Sequence, residues 1–130
     1  MGDLTRNISR QELLCHCGYC GFDTMDWQTI NFVQATCDHF AEQLSIAKVI
    51  CHITSAARCL KHNKNIGSTD TSQHLLARAI DFWIEGVSVK ELYDFLDESF
   101  GNSISLGLYE AQGFVHADSR TINRGARWTG

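Results

Sequence analysis

The 130-residue chain contains no proline, where average usage of about 5% would give roughly six or seven. Nothing in the sequence explains that absence. It also lacks an excess of positive charge, with 11 Lys and Arg against 15 Asp and Glu and a net charge of −4. This balance argues against a nucleic-acid binder, which needs a basic surface to displace counterions from phosphates. No apolar run is long enough to cross a bilayer, so membrane insertion is not expected.

The first residues, Met1 to Arg6, lack the apolar stretch of a secretory signal. We therefore expect a protein that folds in a cytosol. Its six cysteines need not form a disulfide framework, since disulfides are rare in that compartment. Cys15, Cys17 and Cys20 stand close together, but a fourth metal ligand is not evident beside them.

The apolar pattern predicts one small α+β domain, in which helices back a mostly antiparallel sheet. Apolar steps of three and four, from Trp27 to Leu44, predict an amphipathic helix over 26–44, with Phe32 at the flank of its apolar stripe. Ser88 and Glu91 form a capping-box pattern that opens a second helix to about residue 100, and Ser9 with Glu12 predicts a short helix to Leu14. Segments with strand-like composition or alternation are 48–55, 79–84, 104–109 and 114–120. The polar segment 56–73 is expected to be a long loop, and such loops are often functional.

Two of the predicted strands carry polar side chains on the face that is not needed for the core. Alternation places Asp81 opposite the apolar face of its strand. In the last strand, His116 and Asp118 share one face with Arg120. If the two strands are neighbours, these groups converge with His74, which enters from the loop.

Two imidazoles and a carboxylate suit a three-ligand zinc site with an open position for water. Zinc lowers the pKa of that water to about 7 and polarises a carbonyl, which favours amide hydrolysis. A further carboxylate beside the metal can accept the proton of the water and pass it to the leaving amine. The simpler alternative is that each histidine is an ordinary residue with a hydrogen-bond partner, and spacing alone leaves both interpretations open.

Two motifs resemble those of zinc D-alanyl-D-alanine carboxypeptidase-like peptidases. The first is Ser72-Gln-His74-Leu-Leu-Ala-Arg-Ala79-Ile-Asp81, which is similar to Ser-x-His-x-x-Gly-x-Ala-x-Asp. The second, Gly113-Phe-Val-His116-Ala-Asp118-Ser-Arg120, is similar to Phe-Val-His-x-Asp-x-Arg. The segment 15–23 resembles the Cys- and Gly-rich entry of the phage and bacterial branch of that family. Further segments that resemble the family are 53–59, 62–63, 107–109 and 127–128.

The resemblance implies a fold shared with the Hedgehog signalling domain and a single catalytic zinc ion. It implies that His74, Asp81 and His116 are the zinc ligands. It also implies activity on the stem peptides of bacterial peptidoglycan, which the family cleaves.

The catalytic base cannot be transferred from the family, because Gly113 stands where several relatives have an acid. Asp118 is the expected base, since the strand period puts it on the face of His116. The alternative is that Asp118 orients a ligand. Glu110 is the second candidate, with an ordinary solvated turn acid as its alternative.

Three residues are expected to bind substrate. Arg58 and Arg120 are candidates to hold a substrate carboxylate or the developing oxyanion, with a structural ion pair as the alternative. Ser72 is a candidate for a contact near the metal, with turn formation as the alternative.

We therefore expect residues 1–130 to form a single zinc peptidase domain without a separate wall-binding domain. The favoured function is that of a monomeric phage endolysin that cuts the L-Ala–D-Glu bond and causes cell-wall lysis. It would stay in the host cytoplasm until a holin-type pore gives access to the wall. Alternatives are a D-Ala-D-Ala carboxypeptidase, a cross-link endopeptidase, and a non-catalytic zinc-stabilised peptidoglycan-binding or virion module.

Overall fold

The structure, a computed structural model, describes residues 5–9, 11–13, 27–55, 78–120 and 125–130. The described residues form two α-helices, five strands and two single 3-10 turns. The helices are α1 (Trp27–Gln43) and α2 (Val89–Phe100), and the 3-10 turns are Gln11–Leu13 and Gly101–Ser103. The strands are β1 (Cys51–Ser55), β2 (Ala79–Ile84), β3 (Ser105–Tyr109), β4 (Phe114–Asp118) and β5 (Arg127–Thr129). The predicted loop at 56–73 and Leu14 lie outside the described residues.

The strands form one sheet in the order β1-β2-β4-β3-β5. All neighbouring strands run antiparallel except β3 and β5, which are parallel. The predicted α+β class, with a mostly antiparallel sheet, is therefore confirmed. The four predicted strands are present: β2 has the predicted bounds, and β1, β3 and β4 are each shorter at one end. The strand β5 was not predicted.

Capping explains where α2 begins. Ser88 Oγ accepts a hydrogen bond from the Glu91 backbone N–H at 3.1 Å, as the capping-box pattern predicts. Ser9 and Glu12 form only half of such a box: the Glu12 carboxylate accepts from the Ser9 N–H at 3.0 Å. A single 3-10 turn follows Ser9 rather than the predicted helix.

The buried face of α1 differs from the predicted stripe. Phe32, predicted at the flank, is only 4% exposed and packs against Phe100 with ring centroids 5.8 Å apart. Trp27 and Leu44, predicted on the stripe, are 58% and 41% exposed. The reason is positional: Leu44 lies beyond the helix end at Gln43, and the end of α2 covers Phe32.

The core lies between one face of the sheet and the helices. Alternate residues of the central strands β2 and β4 point into it: Ile80, Phe82, Ile84, Val115 and Ala117. They pack in one cluster with the buried residues of α2, Leu92 and Leu96. Cys37 and Cys51 also belong to this cluster, as free thiols. Because side chains alternate along a strand, the polar residues of β2 and β4 lie on the opposite face.

Neither described helix is long and apolar enough to cross a membrane.

Replacing Phe82 with Ala should destabilise the protein by about 3–5 kcal/mol, because the ring is fully buried and its removal leaves a cavity. Urea denaturation followed by circular dichroism measures the loss. The matched control is Ile50→Ala, whose side chain is 55% exposed and whose truncation should change stability by no more than about 0.5 kcal/mol. Equal losses for the two variants would contradict the assignment of the core face.

Candidate active site

The pairing of β2 with β4 brings Asp81 and His116 together. The two residues are directly opposite each other in the antiparallel register. His116 Nδ1 lies 2.9 Å from Asp81 Oδ1, and the two side chains are only 12% and 14% exposed. The two strands are thus neighbours, and they place an imidazole nitrogen next to a carboxylate oxygen on the face opposite the core.

Asp118 contacts the other nitrogen of the same imidazole. His116 Nε2 lies 2.7 Å from Asp118 Oδ2, and the Asp118 side chain is fully buried. Arg120 donates to both carboxylate oxygens, from Nε to Oδ1 at 2.8 Å and from Nη2 to Oδ2 at 2.6 Å. The backbone N–H of Arg120 donates to Oδ1 as well, at 3.1 Å. Asp118 is therefore held from three directions by side chains and backbone.

The contacts shift the pKa values of these groups. Burial by itself raises the pKa of Asp118, but hydrogen bonds from Arg120 and His116 prevail and lower it to about 2. Burial by itself lowers the pKa of His116, whereas its hydrogen bonds to Asp118 and Asp81 raise it, and the net shift is upward. The hydrogen bond to Asp118 raises the pKa of Arg120. Asp118 and Arg120 therefore form a charged pair around one nitrogen of His116.

An indole ring from β5 forms a wall of this cluster. The ring centroids of Trp128 and His116 are 5.2 Å apart, and the Arg120 guanidinium lies 5.1 Å from the Trp128 ring centroid. Trp128 Nε1 donates a hydrogen bond to the Tyr109 hydroxyl at 2.8 Å. This hydrogen bond fixes the indole beside the imidazole.

Gly107 makes room for that indole. It lies opposite His116 on one side and Trp128 on the other. A Cβ atom at Gly107 would lie 2.4 Å from Trp128 Nε1 and 2.9 Å from Tyr109 Cε2. Sequence reasoning matched Gly107 to the family but missed this steric role, although a glycine inside a strand is itself a signal of close approach.

The structure brings together four of the predicted site residues, namely Asp81, His116, Asp118 and Arg120. Glu110 is exposed in the turn beyond the Tyr109–Phe114 pair, outside the contacts that join these four. The other predicted site residues lie outside the described residues: Arg58, Ser72 and His74.

The donor set is compatible with zinc as far as the structure describes it. Asp81 and His116 supply an oxygen and a nitrogen, the donor types that zinc binds together with a second imidazole. Within the described ranges, no group of three or more His, Cys, Asp and Glu side chains is arranged to hold a metal ion. The third predicted ligand, His74, falls outside those ranges.

Comparison with protein families gave a match over most of the chain. A protein-family model described as Peptidase M15 matches residues 6–118, which is most of the chain. The matched range includes His74, Asp81, His116 and Asp118 and ends before Arg120. No significant match was found among curated proteins or among solved structures.

Gly107→Ala should cost about 1–3 kcal/mol of stability, because the added methyl group overlaps the Trp128 indole. In a Trp128→Ala background the same substitution should cost less, since only the contact with Tyr109 remains. Urea denaturation of the four proteins of this double-mutant cycle measures the coupling. An equal cost in both backgrounds would show that the methyl group does not meet the indole.

Proposed function

Because the chain belongs to the peptidase M15 family, we propose that it is a zinc-dependent peptidase that cleaves peptide bonds in peptidoglycan stem peptides. The resemblance to zinc D-alanyl-D-alanine carboxypeptidase-like peptidases is confirmed at the level of this family. Zinc dependence, the peptidoglycan substrate and the roles of individual residues are the proposal.

One observation carries the proposal: Asp81 and His116 are opposed on the two central strands with donor atoms 2.9 Å apart. A folded core does not require an imidazole and a carboxylate at these positions. Both are motif residues of the family, and the motif that contains Asp81 also supplies His74 as the third ligand. His74, Asp81 and His116 would hold the zinc ion.

Zinc, when bound, supplies an activated water and a polarised scissile carbonyl. The chain itself fixes the relative positions of two of the proposed ligands, Asp81 and His116. Asp81 and His116 stand on paired strands, which hold donors more accurately than loops do. Trp128 narrows the space beside His116 and thereby limits the access of solvent to that imidazole.

The contacts of Asp118 bear directly on which residue accepts the proton of the attacking water. A base must reach the attacking water. The Asp118 oxygens instead accept hydrogen bonds from Arg120 and His116, and the side chain is fully buried. These contacts favour the alternative in which Asp118 orients a ligand. Glu110, exposed at the end of the β3–β4 hairpin, is the other acid proposed as the base.

Arg120 was expected to bind substrate, with a structural ion pair as the alternative. Its bidentate contact with Asp118 favours the ion pair. Substrate binding is proposed for Arg58 and Ser72.

For the specific bond, we propose L-Ala–D-Glu cleavage by a single-domain, monomeric phage endolysin. The support is the resemblance of the chain to the phage and bacterial branch of the family, including the segment 15–23.

Incubating the zinc-loaded protein with purified sacculi should release peptides, and mass spectrometry of the muropeptides identifies the bond. Glycan strands that keep only L-Ala would support the endolysin proposal. Loss of terminal D-Ala would instead indicate a carboxypeptidase, and loss of cross-linked dimers a cross-link endopeptidase. Unchanged muropeptides would contradict the proposed peptidase activity and favour a non-catalytic module. A chelator should abolish the activity and added zinc should restore it.

Asp81→Ala and His116→Ala should each lose bound zinc and lower activity by more than about 100-fold, beyond the loss typical of a group that only supports a ligand. Metal content by mass spectrometry and the sacculus assay measure both effects. The matched control is His52→Ala, since His52 also pairs with an acid, Glu85, at 2.6 Å but at an exposed position. Stoichiometric zinc in His116→Ala would overturn the ligand set.

A further inference from the structure

We propose that Asp118 is a positioning residue that fixes the orientation and tautomer of His116, and that Arg120 holds Asp118 in place for this purpose. The proposal rests on the proposed zinc site. It assigns the proton of His116 to Nε2 and leaves Nδ1, the nitrogen beside Asp81, as the coordinating atom.

The hydrogen-bonding capacity of the groups restricts where the proton of His116 can lie. A neutral imidazole has one N–H donor and one lone pair, and an ionised carboxylate only accepts. Asp118 Oδ2 lies 2.7 Å from His116 Nε2, so Nε2 must carry the proton and donate it. Asp81 Oδ1 lies 2.9 Å from Nδ1 and accepts in the same way, so without a metal ion both nitrogens face a carboxylate acceptor. Zinc would take the place of the proton on Nδ1, because Asp81 is the other proposed ligand, while Asp118 keeps the proton on Nε2. The two proposed ligands thus present their donor atoms to the same place.

Asp118 remains an acceptor because of Arg120. The guanidinium donates to both carboxylate oxygens in the bidentate geometry that makes Arg–carboxylate pairs strong and directional. The backbone N–H of Arg120 adds a third donor. Such a carboxylate has a fixed position and keeps its charge, which are the two properties needed to hold a ligand imidazole.

The surroundings make this arrangement rigid. Asp118 ends β4, the middle strand of the sheet, and lies opposite Ala79 on one side and Ser105 on the other. Its side chain is fully buried. Arg120 is in turn packed over the Trp128 ring. The series of contacts from Arg120 through Asp118 to His116 is therefore supported by strands on both sides and by an aromatic ring.

A positioning role and a base role differ in what they change. Carboxylates that orient a metal-bound histidine typically affect metal affinity by 10- to 100-fold. A base acts on the reaction and leaves the affinity for the metal alone largely unchanged. Zinc affinity, measured without substrate, therefore separates the two.

The first test uses the intact wild-type protein, labelled with 15N and loaded with zinc. Long-range proton–nitrogen correlation spectra should show His116 protonated at Nε2 and coordinated through Nδ1. Zinc bound with His116 protonated at Nδ1 would overturn this proposal while leaving the proposed zinc peptidase intact. A protein that binds no zinc would overturn both. This test needs no variant and so does not depend on whether an altered Asp118 still folds.

The second test measures zinc affinity by chelator competition in Asp118→Ala and Asp118→Asn. The alanine variant should bind zinc about 10- to 100-fold more weakly. The asparagine variant should regain part of that loss, because its amide oxygen still accepts from Nε2. The matched control is Asp97→Ala, which removes a comparable 2.8 Å bond from Arg127 without touching a histidine and should leave the affinity unchanged. Wild-type affinity in a folded Asp118→Ala protein would overturn the proposal.

Discussion

The register between β2 and β4 is the constraint on which the rest of the site depends. It sets Asp81 opposite His116. On the other side of β4, the register between β3 and β4 sets Gly107 opposite the same histidine. Because side chains alternate along a strand, a slip of one residue would turn His116 into the core and Val115 out of it. Burial of Val115 and its apolar neighbours therefore fixes the register, and the hydrophobic core determines the geometry of the polar face.

The space beside His116 depends on the absence of a side chain at Gly107. Gly107 allows the Trp128 indole to lie against β3, and the indole packs against the Arg120 guanidinium. Arg120 is then in position to bind Asp118, which contacts His116. A single glycine thus supports a series of contacts that ends at the imidazole.

Much of the fold follows from local patterns. The alternation in β2 gave the correct core and site faces, and the Ser88–Glu91 capping box gave the start of α2. The apolar stripe of α1 gave the wrong burial for Phe32, because α2 covers that ring. The periodicity of one helix contains no information about its neighbours. The strand β5 was not predicted, because three residues give too short a pattern and its parallel pairing with β3 is a tertiary contact.

The site was predictable in part for the same reasons. Strand alternation put Asp81 on the face opposite the core and placed His116 and Asp118 on a common face, but only the pairing of the strands could join the two sets. Which atom Asp118 contacts depends on rotamers and on the position of the Arg120 guanidinium, and neither is encoded in a local pattern. The family motif, rather than periodicity, pointed to His74.

The residues that surround the His116 ring are separated from it by different distances along the sequence. Asp118 is two residues away and Gly107 lies across a tight hairpin, whereas Asp81 is 35 residues distant. The hairpin half can form early, because closing a short loop costs little entropy, while docking of β2 closes a longer loop and is slower. A metal ion that binds only when both halves are joined would bind the native state alone, and would shift the folding equilibrium by mass action towards the docked sheet. The bound ion would then stabilise the docking of β2 against the β3–β4 hairpin.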